Sequence, residues 1–206
     1  MALLRSHDIS TVLDVGANTG QYASEIRRWG FRGRIESFEP TPAAFEQLTR
    51  AAAADPGWVC HQLALGDREG TAELNVTANA ASSSLRGVTI DQRRREPGAT
   101  VVQVLSVPIT RLDSFALALP QQGMLLKLDV QGYEDAVLRG AEAILPKISL
   151  VECELSLLPL YENQPLLADM LNALGQNGFH LRALNPGYYD VKTGEILQYD
   201  GIFARQ

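Results

Sequence analysis

Carboxylates stand at the ends of the apolar runs of this sequence. Asp14 precedes Gly16 in Thr11–Gly20 (TVLDVGANTG), and Glu39-Pro40 closes a second run. Gly66-Asp67 follows a third, Asp129 ends a fourth, and Glu152-Cys-Glu154 ends a fifth. Such groups can grip paired hydroxyls, accept a bond from an amino group, or take a proton from a reacting hydroxyl. Lys127 adds a cation inside the apolar run Met124–Leu128. The histidines suit acid–base work less well: His7, His61 and His180 are all placed near strand beginnings and read as structural or exposed.

Something must carry these carboxylates to one place. Val12, Leu13 and Val15 form a short β-branched run suited to a buried parallel strand. Gly16 and Gly20 bracket a tight turn, and apolar residues at helical spacing follow to Trp29. A strand, a glycine turn and a helix make a nucleotide-type site, because glycine lets a ligand approach the backbone and the helix start offers unpaired N–H groups. Further strands are expected at Arg34–Phe38, Trp58–Leu65, Met124–Asp129 and Ile148–Leu155, with helices between them. That alternation predicts a parallel sheet, with ligands beyond the strands' carboxyl ends. The helix expected over Glu134–Leu145 is stopped by Pro146, and Leu166–Gln176 supplies another.

Two stretches break the rhythm. Thr71–Thr77 and Val101–Val107 have period-2 character, and between them lie Ser82–Ser84 and the basic run Arg93–Arg95. They predict an antiparallel insertion over about 71–107, with a mobile connector of the kind that forms lids; the arginines read as a solvated face. Phe179–Leu184 and Tyr199–Arg205 are joined by a linker too short for a crossover helix, so they should pair as an antiparallel hairpin.

Composition narrows the classes. The chain has 206 residues, enough for one α/β domain over 1–206, and 46% of them are hydrophobic. A net charge of -6 argues against a nucleic-acid backbone as partner. No apolar run approaches the roughly 20 residues of a bilayer span, and MALLRSHDIS lacks the apolar core of a signal peptide. Cys60 and Cys153 sit in strand-like runs and read as buried thiols, which points to the cytoplasm.

The glycine turn chooses among nucleotides. A dinucleotide fingerprint requires glycine at 16, 18 and 21, whereas the sequence has Gly16, Asn18 and Gln21. A cofactor without phosphate tolerates Asn18 better, and S-adenosylmethionine fits that description. Glu39, about 20 residues past the turn, suits ribose hydroxyls, and Asp67 suits an adenine amino group.

DVGANTG, FEP, ALGD, LLKLDVQGYE, the Asn79–Ser84 stretch and DGIFAR together resemble the FkbM-type S-adenosylmethionine-dependent methyltransferases, over nearly the whole chain. The resemblance implies the three-layer, Rossmann-like class I fold, with a seven-stranded, mostly parallel sheet whose last strand is antiparallel. It implies O-methylation of a sugar or secondary metabolite, and a cofactor site of Asp14, Gly16, Asn18, Thr19, Gly20, Glu39, Gly66 and Asp67. It also leaves the segment ahead of the first strand shorter than relatives often have.

Methyl transfer to a hydroxyl is an in-line displacement that needs alignment, dryness and a proton acceptor. Asp129 is the expected base. Lys127 shares its strand face and should pair with Glu152 or Asp14, holding Asp129 near the acceptor; a purely structural ion pair is the competing reading. Asn79, Ser83, Tyr133, Glu154 and Tyr161 are the expected acceptor contacts. No metal is expected, since no tight D-x-D motif is present. Partners reduce to a small hydroxylated substrate, with a homo-oligomer left open. An NAD-linked oxidoreductase and a non-catalytic S-adenosylmethionine-binding protein are the alternatives.

Overall fold

Val12 and Leu13 are fully buried on opposite faces of one strand. That strand lies inside a seven-stranded sheet in the computed structural model, which describes residues 2–115, 119–120 and 122–205. In chain order the first elements are α1 (Ala2–Ser6), β1 (Thr11–Val15), α2 (Gln21–Arg28), β2 (Arg34–Phe38), α3 (Pro42–Ala52) and β3 (Trp58–His61). Then come β4 (Ala64–Leu65), β5 (Gly70–Thr77), α4 (Ile90–Arg95) and β6 (Val101–Thr110). The chain continues with β7 (Met124–Leu128), α5 (Glu134–Arg139), β8 (Ile148–Ser156), α6 (Leu167–Gln176), β9 (Phe179–Pro186) and β10 (Gln198–Arg205).

The main sheet runs β3-β2-β1-β7-β8-β10-β9. Strands β3, β2, β1, β7 and β8 pair in parallel, and β10 is antiparallel to both β8 and β9. This is the expected class I sheet, including the terminal hairpin. Strand order reverses at β1, whose neighbours are β2 and β7, so the crevice for a ligand opens above β1 and β7.

Period-2 alternation sorts the core into two apolar layers. Leu13, Val15, Leu126, Leu128, Val151 and Phe203 face one side with Met170 and Leu174 of α6. Val12, Ile35, Leu125 and Leu150 face the other with Ile26 of α2 and Leu48 of α3. Asp14, Lys127 and Glu152 lie in register across β1, β7 and β8. They belong to the Val12 face, so polar groups there meet one another.

The insertion forms its own three-stranded sheet, β4-β6-β5, in which β5 and β6 are antiparallel as expected. Its β4 corrects one expectation: Trp58–Leu65 is not one strand. Pairing with β2 stops at His61, and Ala64–Leu65 turns away to pair with β6. His61 therefore lies at the carboxyl end of β3 rather than near a strand start. Its Nε2 is 2.6 Å from Glu36 Oε2 and its ring stacks on Phe38, so it remains structural.

Three smaller expectations also change. The helix after β7 ends at Arg139, where Gly140 packs so closely that a Cβ would meet Gly66 O at 1.8 Å. Cys153 is buried but Cys60 only half-buried; both are free thiols, and burial pushes Cys60 up to about 11. Arg95 is not simply solvated, because it pairs with Asp190 at 2.7 Å and fastens α4 to the β9–β10 connection. Among the described residues no helix is long and apolar enough to cross a membrane.

Candidate functional site

The turn after β1 is built from left-handed residues: Gly16 at φ 79°, Asn18 at φ 47° and Gly20 at φ 85°. Gly16 is irreplaceable on space alone, since a Cβ there would lie 1.9 Å from the backbone oxygen of Asp129. The glycine thus lets the β1 loop press against the β7 loop, where Asp129 N also donates to Val15 O at 3.0 Å. Glu39 completes the turn from β2. Its Oε2 accepts from Asn18 N at 2.9 Å and its Oε1 from Thr41 N at 2.7 Å. Each oxygen keeps a further lone pair for a ligand hydroxyl. Burial raises the Glu39 pKa against the pull of these hydrogen bonds.

Below the turn lies an ion cluster. Lys127 Nζ is 3.4 Å from Asp14 Oδ1 and 3.2 Å from Asp129 Oδ2, so of the two expected partners Asp14 is the one it takes. Burial works against the Lys127 charge, yet Asp129 and Asp14 raise its pKa and keep it an ammonium. Asp14 is wholly buried and its pKa is raised by that burial, against the attraction of Lys127. Glu152 takes a different partner: Tyr22 of α2 donates to it at 2.7 Å. The Tyr22 ring also lies 5.4 Å from Lys127 Nζ, within cation–π range.

Above these groups is a cavity of about 790 Å³, within the roughly 300–1,000 Å³ typical of small-molecule sites. Its described charged residues are Glu25, Glu39, Asp129, Glu152, Glu154 and Asp200, against one cation, Lys127. Phe38, Pro40, Ala44, Leu63 and Leu65 give its β2 side an apolar wall. The insertion adds Ala80, Ala81, Ser83, Ser84 and Leu85 to its lining.

Of the expected residues, Gly16, Asn18, Glu39, Lys127, Asp129, Ser83, Tyr133 and Glu154 line this cavity. The others do not. Asp14 sits beneath it. Thr19 and Gly20 lead into α2, where Thr19 N bonds Gln21 Oε1 and Gly20 packs on Leu48 and Trp58. Gly66 is wedged against Ile109 and Tyr133, and Asp67 is held by Arg139 at 3.0 Å. Asn79 turns to Glu96 at 2.7 Å. Tyr161 is buried behind the wall, donating to Gln131 Oε1 at 2.7 Å and lying 3.1 Å from Ser82 O.

Residue reading alone missed four contributors. Gln131, at φ 54°, places Nε2 2.8 Å from both Asp129 Oδ1 and Glu154 Oε2. Asp200 of β10 faces the cavity beside Glu154, and Tyr22 and Gln198 brace Glu152 and Glu154. Gln131 and Asp200 stand inside DVQG and DGIF, so the signal was a motif with one position left unread. Glu134, the first residue of α5, accepts from Val130 N and Gly132 N at 3.2 Å each and shapes the loop that presents Asp129. Burial pushes its carboxyl up to about 7. Among the described residues no three His, Cys, Asp or Glu side chains are grouped to hold a metal ion.

A carboxylate-ringed cavity above the β1–β7 switch point of this sheet defines a class I methyltransferase fold. The solved magnesium protoporphyrin IX methyltransferase of Synechocystis PCC 6803, with bound S-adenosylmethionine, superposes at TM-score 0.54 with 10% identity, over 100% of this chain and 76% of that one. The precorrin-6y C5,15-methyltransferase of Geobacter metallireducens GS-15 gives 0.51 and 10%, over 99% and 84%. Residues 14–181 match the methyltransferase FkbM domain, and the chain belongs to that family of S-adenosylmethionine-dependent methyltransferases. A protein called methyltransferase 1 from Beauveria bassiana (strain ARSEF 2860) is 30% identical over 150 residues, which are 66% of this chain and 59% of that protein.

The cavity suits that cofactor. Six carboxylates and one ammonium disfavour any polyphosphate and favour a ligand carrying positive charge. Glu39 offers acceptors to ribose hydroxyls, the Phe38 wall offers apolar surface to a base, and the β1 loop offers backbone to the amino-acid end.

Proposed function

We propose that this methyltransferase methylates a hydroxyl of a small acceptor, a sugar or a secondary metabolite, with Asp129 as the proton acceptor. S-adenosylmethionine supplies the methyl group as an activated sulfonium substituent. Glu39 and the Gly16–Asn18 backbone hold the cofactor, and Asp129 takes the hydroxyl proton as the new oxygen–carbon bond forms. Lys127 pairs with Asp129 and orients it from below. Ser83, Tyr133, Glu154 and Asp200 offer the acceptor hydrogen bonds.

The observation that carries this reading is the position of Asp129. It stands at the carboxyl end of the strand beside the glycine turn, inside the cavity, with Lys127 fixed 3.2 Å away. His61, the histidine nearest the strand ends, is committed to Glu36. The chain is read as one domain working in the cytoplasm on a small molecule.

The test is turnover of methyl-labelled S-adenosylmethionine against a panel of sugars and polyketide-like alcohols, read by mass spectrometry. Asp129→Asn should abolish turnover and leave cofactor affinity within a few-fold by calorimetry. Normal turnover by that variant removes the base assignment. Binding of NAD in place of S-adenosylmethionine removes the reading altogether.

A further inference from the structure

Two carboxylates that share a site repel, and one of them ordinarily gives up its charge. Asp129 and Glu154 face that difficulty on β7 and β8. Asp14 of β1, Asp200 of β10 and Glu134 of α5 add negative charge from the other elements around them, and Lys127 is the cation among these groups. What stands between the two carboxylates is one amide. Gln131 Nε2 directs one hydrogen to Asp129 Oδ1 and the other to Glu154 Oε2, each at 2.8 Å. The amide cannot be turned round, because its oxygen would then face two carboxylates and its NH2 would face the Tyr161 hydroxyl. As it lies, its Oε1 accepts from Tyr161 at 2.7 Å, so both N–H groups and the oxygen are engaged.

We propose that Gln131 is the positioning residue of this reaction, its amide holding Asp129 apart from Glu154 and tying both to Tyr161 behind the insertion. The proposal rests on Asp129 as the base. The surroundings support it on geometry. Ser84 Oγ donates to Gln131 O at 2.6 Å, so the insertion fixes the Gln131 backbone as well as touching the phenol through Ser82. The left-handed φ of Gln131 stores a strain that needs such support. Burial, with Asp129, Glu134 and Asp200 next, raises Glu154 well above an ordinary carboxyl. The wall that receives the acceptor and the group that takes its proton are therefore joined through one side chain.

The test needs no knowledge of the acceptor. In protein labelled with ¹³C at the side-chain carboxyls, the Asp129 and Glu154 signals are identified by their loss in Asp129→Asn and Glu154→Gln. Gln131→Asn tolerates the left-handed backbone but is one methylene too short to reach all three partners. In that variant the pair should take up its protons at higher pH by about one pH unit, since a lost hydrogen bond to a charged group and a restored repulsion act in the same direction. Once an acceptor is in hand, the acid limb of kcat should move the same way, kcat falling about tenfold on the acid side of that limb, with affinity for S-adenosylmethionine within about twofold. If Gln131→Asn gives no folded protein, Tyr161→Phe carries the test, with a smaller displacement in the same direction. A titration unmoved in whichever variant folds overturns the proposal. Turnover by Asp129→Asn would instead overturn the assignment of the base, so the two failures are distinct.

Discussion

Glu134→Gln should make the protein more stable at alkaline pH and leave it unchanged in acid. Glu134 is 2% exposed, and its Oε1 accepts the N–H groups of Val130 and Gly132. A glutamine keeps that acceptor and removes the charge. Burial raises the carboxyl from an ordinary 4.5 to about 7, with the charge of Asp129 adding to it and the backbone hydrogen bonds opposing it. The sign follows from linkage. A group whose pKa is higher folded than unfolded contributes stability below the unfolded value, and loses it as pH rises through the folded value. Wild type should therefore lose stability between about pH 4.5 and pH 7. At 1.36 kcal/mol per pH unit, the full difference is about 3 kcal/mol. Urea unfolding of both proteins from pH 4 to pH 8.5 measures it. The two should agree near pH 4 and separate by about 3 kcal/mol at pH 8. Parallel curves across that range would refute the placement of a charged carboxyl beneath the Asp129 loop.

Three other perturbations probe the same site. Lys127→Met should cost about 3–5 kcal/mol at neutral pH by urea unfolding, because Asp14 is left buried and uncompensated; much of the loss should return in acid, where Asp14 is neutral. Gly16→Ala should abolish S-adenosylmethionine binding by calorimetry and lower the thermal midpoint, since its Cβ would collide with Asp129 O in a loop at φ 79°. Glu39→Gln should weaken S-adenosylmethionine binding about tenfold in the same assay, the scale of one charge-assisted hydrogen bond, and cost about 1–3 kcal/mol of stability, because the amide NH2 would face the N–H of Asn18 or Thr41 that a carboxylate oxygen now accepts.

The parts of this molecule legible in the sequence are those decided by neighbours along the chain. The β1–turn–α2 unit announces itself through β-branched residues followed by spaced glycines, and Glu39 through its distance from them. The terminal hairpin follows from a linker too short for anything else. Period 2 placed Lys127 and Asp129 on one face. Where the structure adds what reading could not give, the deciding contact is distant in sequence. Asp67 has the look of a ligand group until Arg139, 72 residues on, closes over it. Tyr161 looks like an acceptor contact, but its hydroxyl is spent on Gln131 and Ser82. Trp58–Leu65 reads as a single apolar run because periodicity cannot show that Ala64 and Leu65 pair with Ile109 and Thr110 of another sheet. Gln131 escaped notice because a neutral amide carries no chemical signal until three partners surround it.

The strand order carries a kinetic consequence. β9 touches the main sheet only through β10, which slots between it and β8. A nascent chain that has completed β9 therefore has no partner for it, and the β8 edge stays open until residues 198–205 leave the ribosome. Both then arrive together as one hairpin. Arg205 locks the arrival by donating to the carbonyls of Leu145, Ile148 and Asn177. Asp200 reaches the cavity in the same event, so the pocket is finished only when this hairpin docks, and chains without β10 hold an exposed edge.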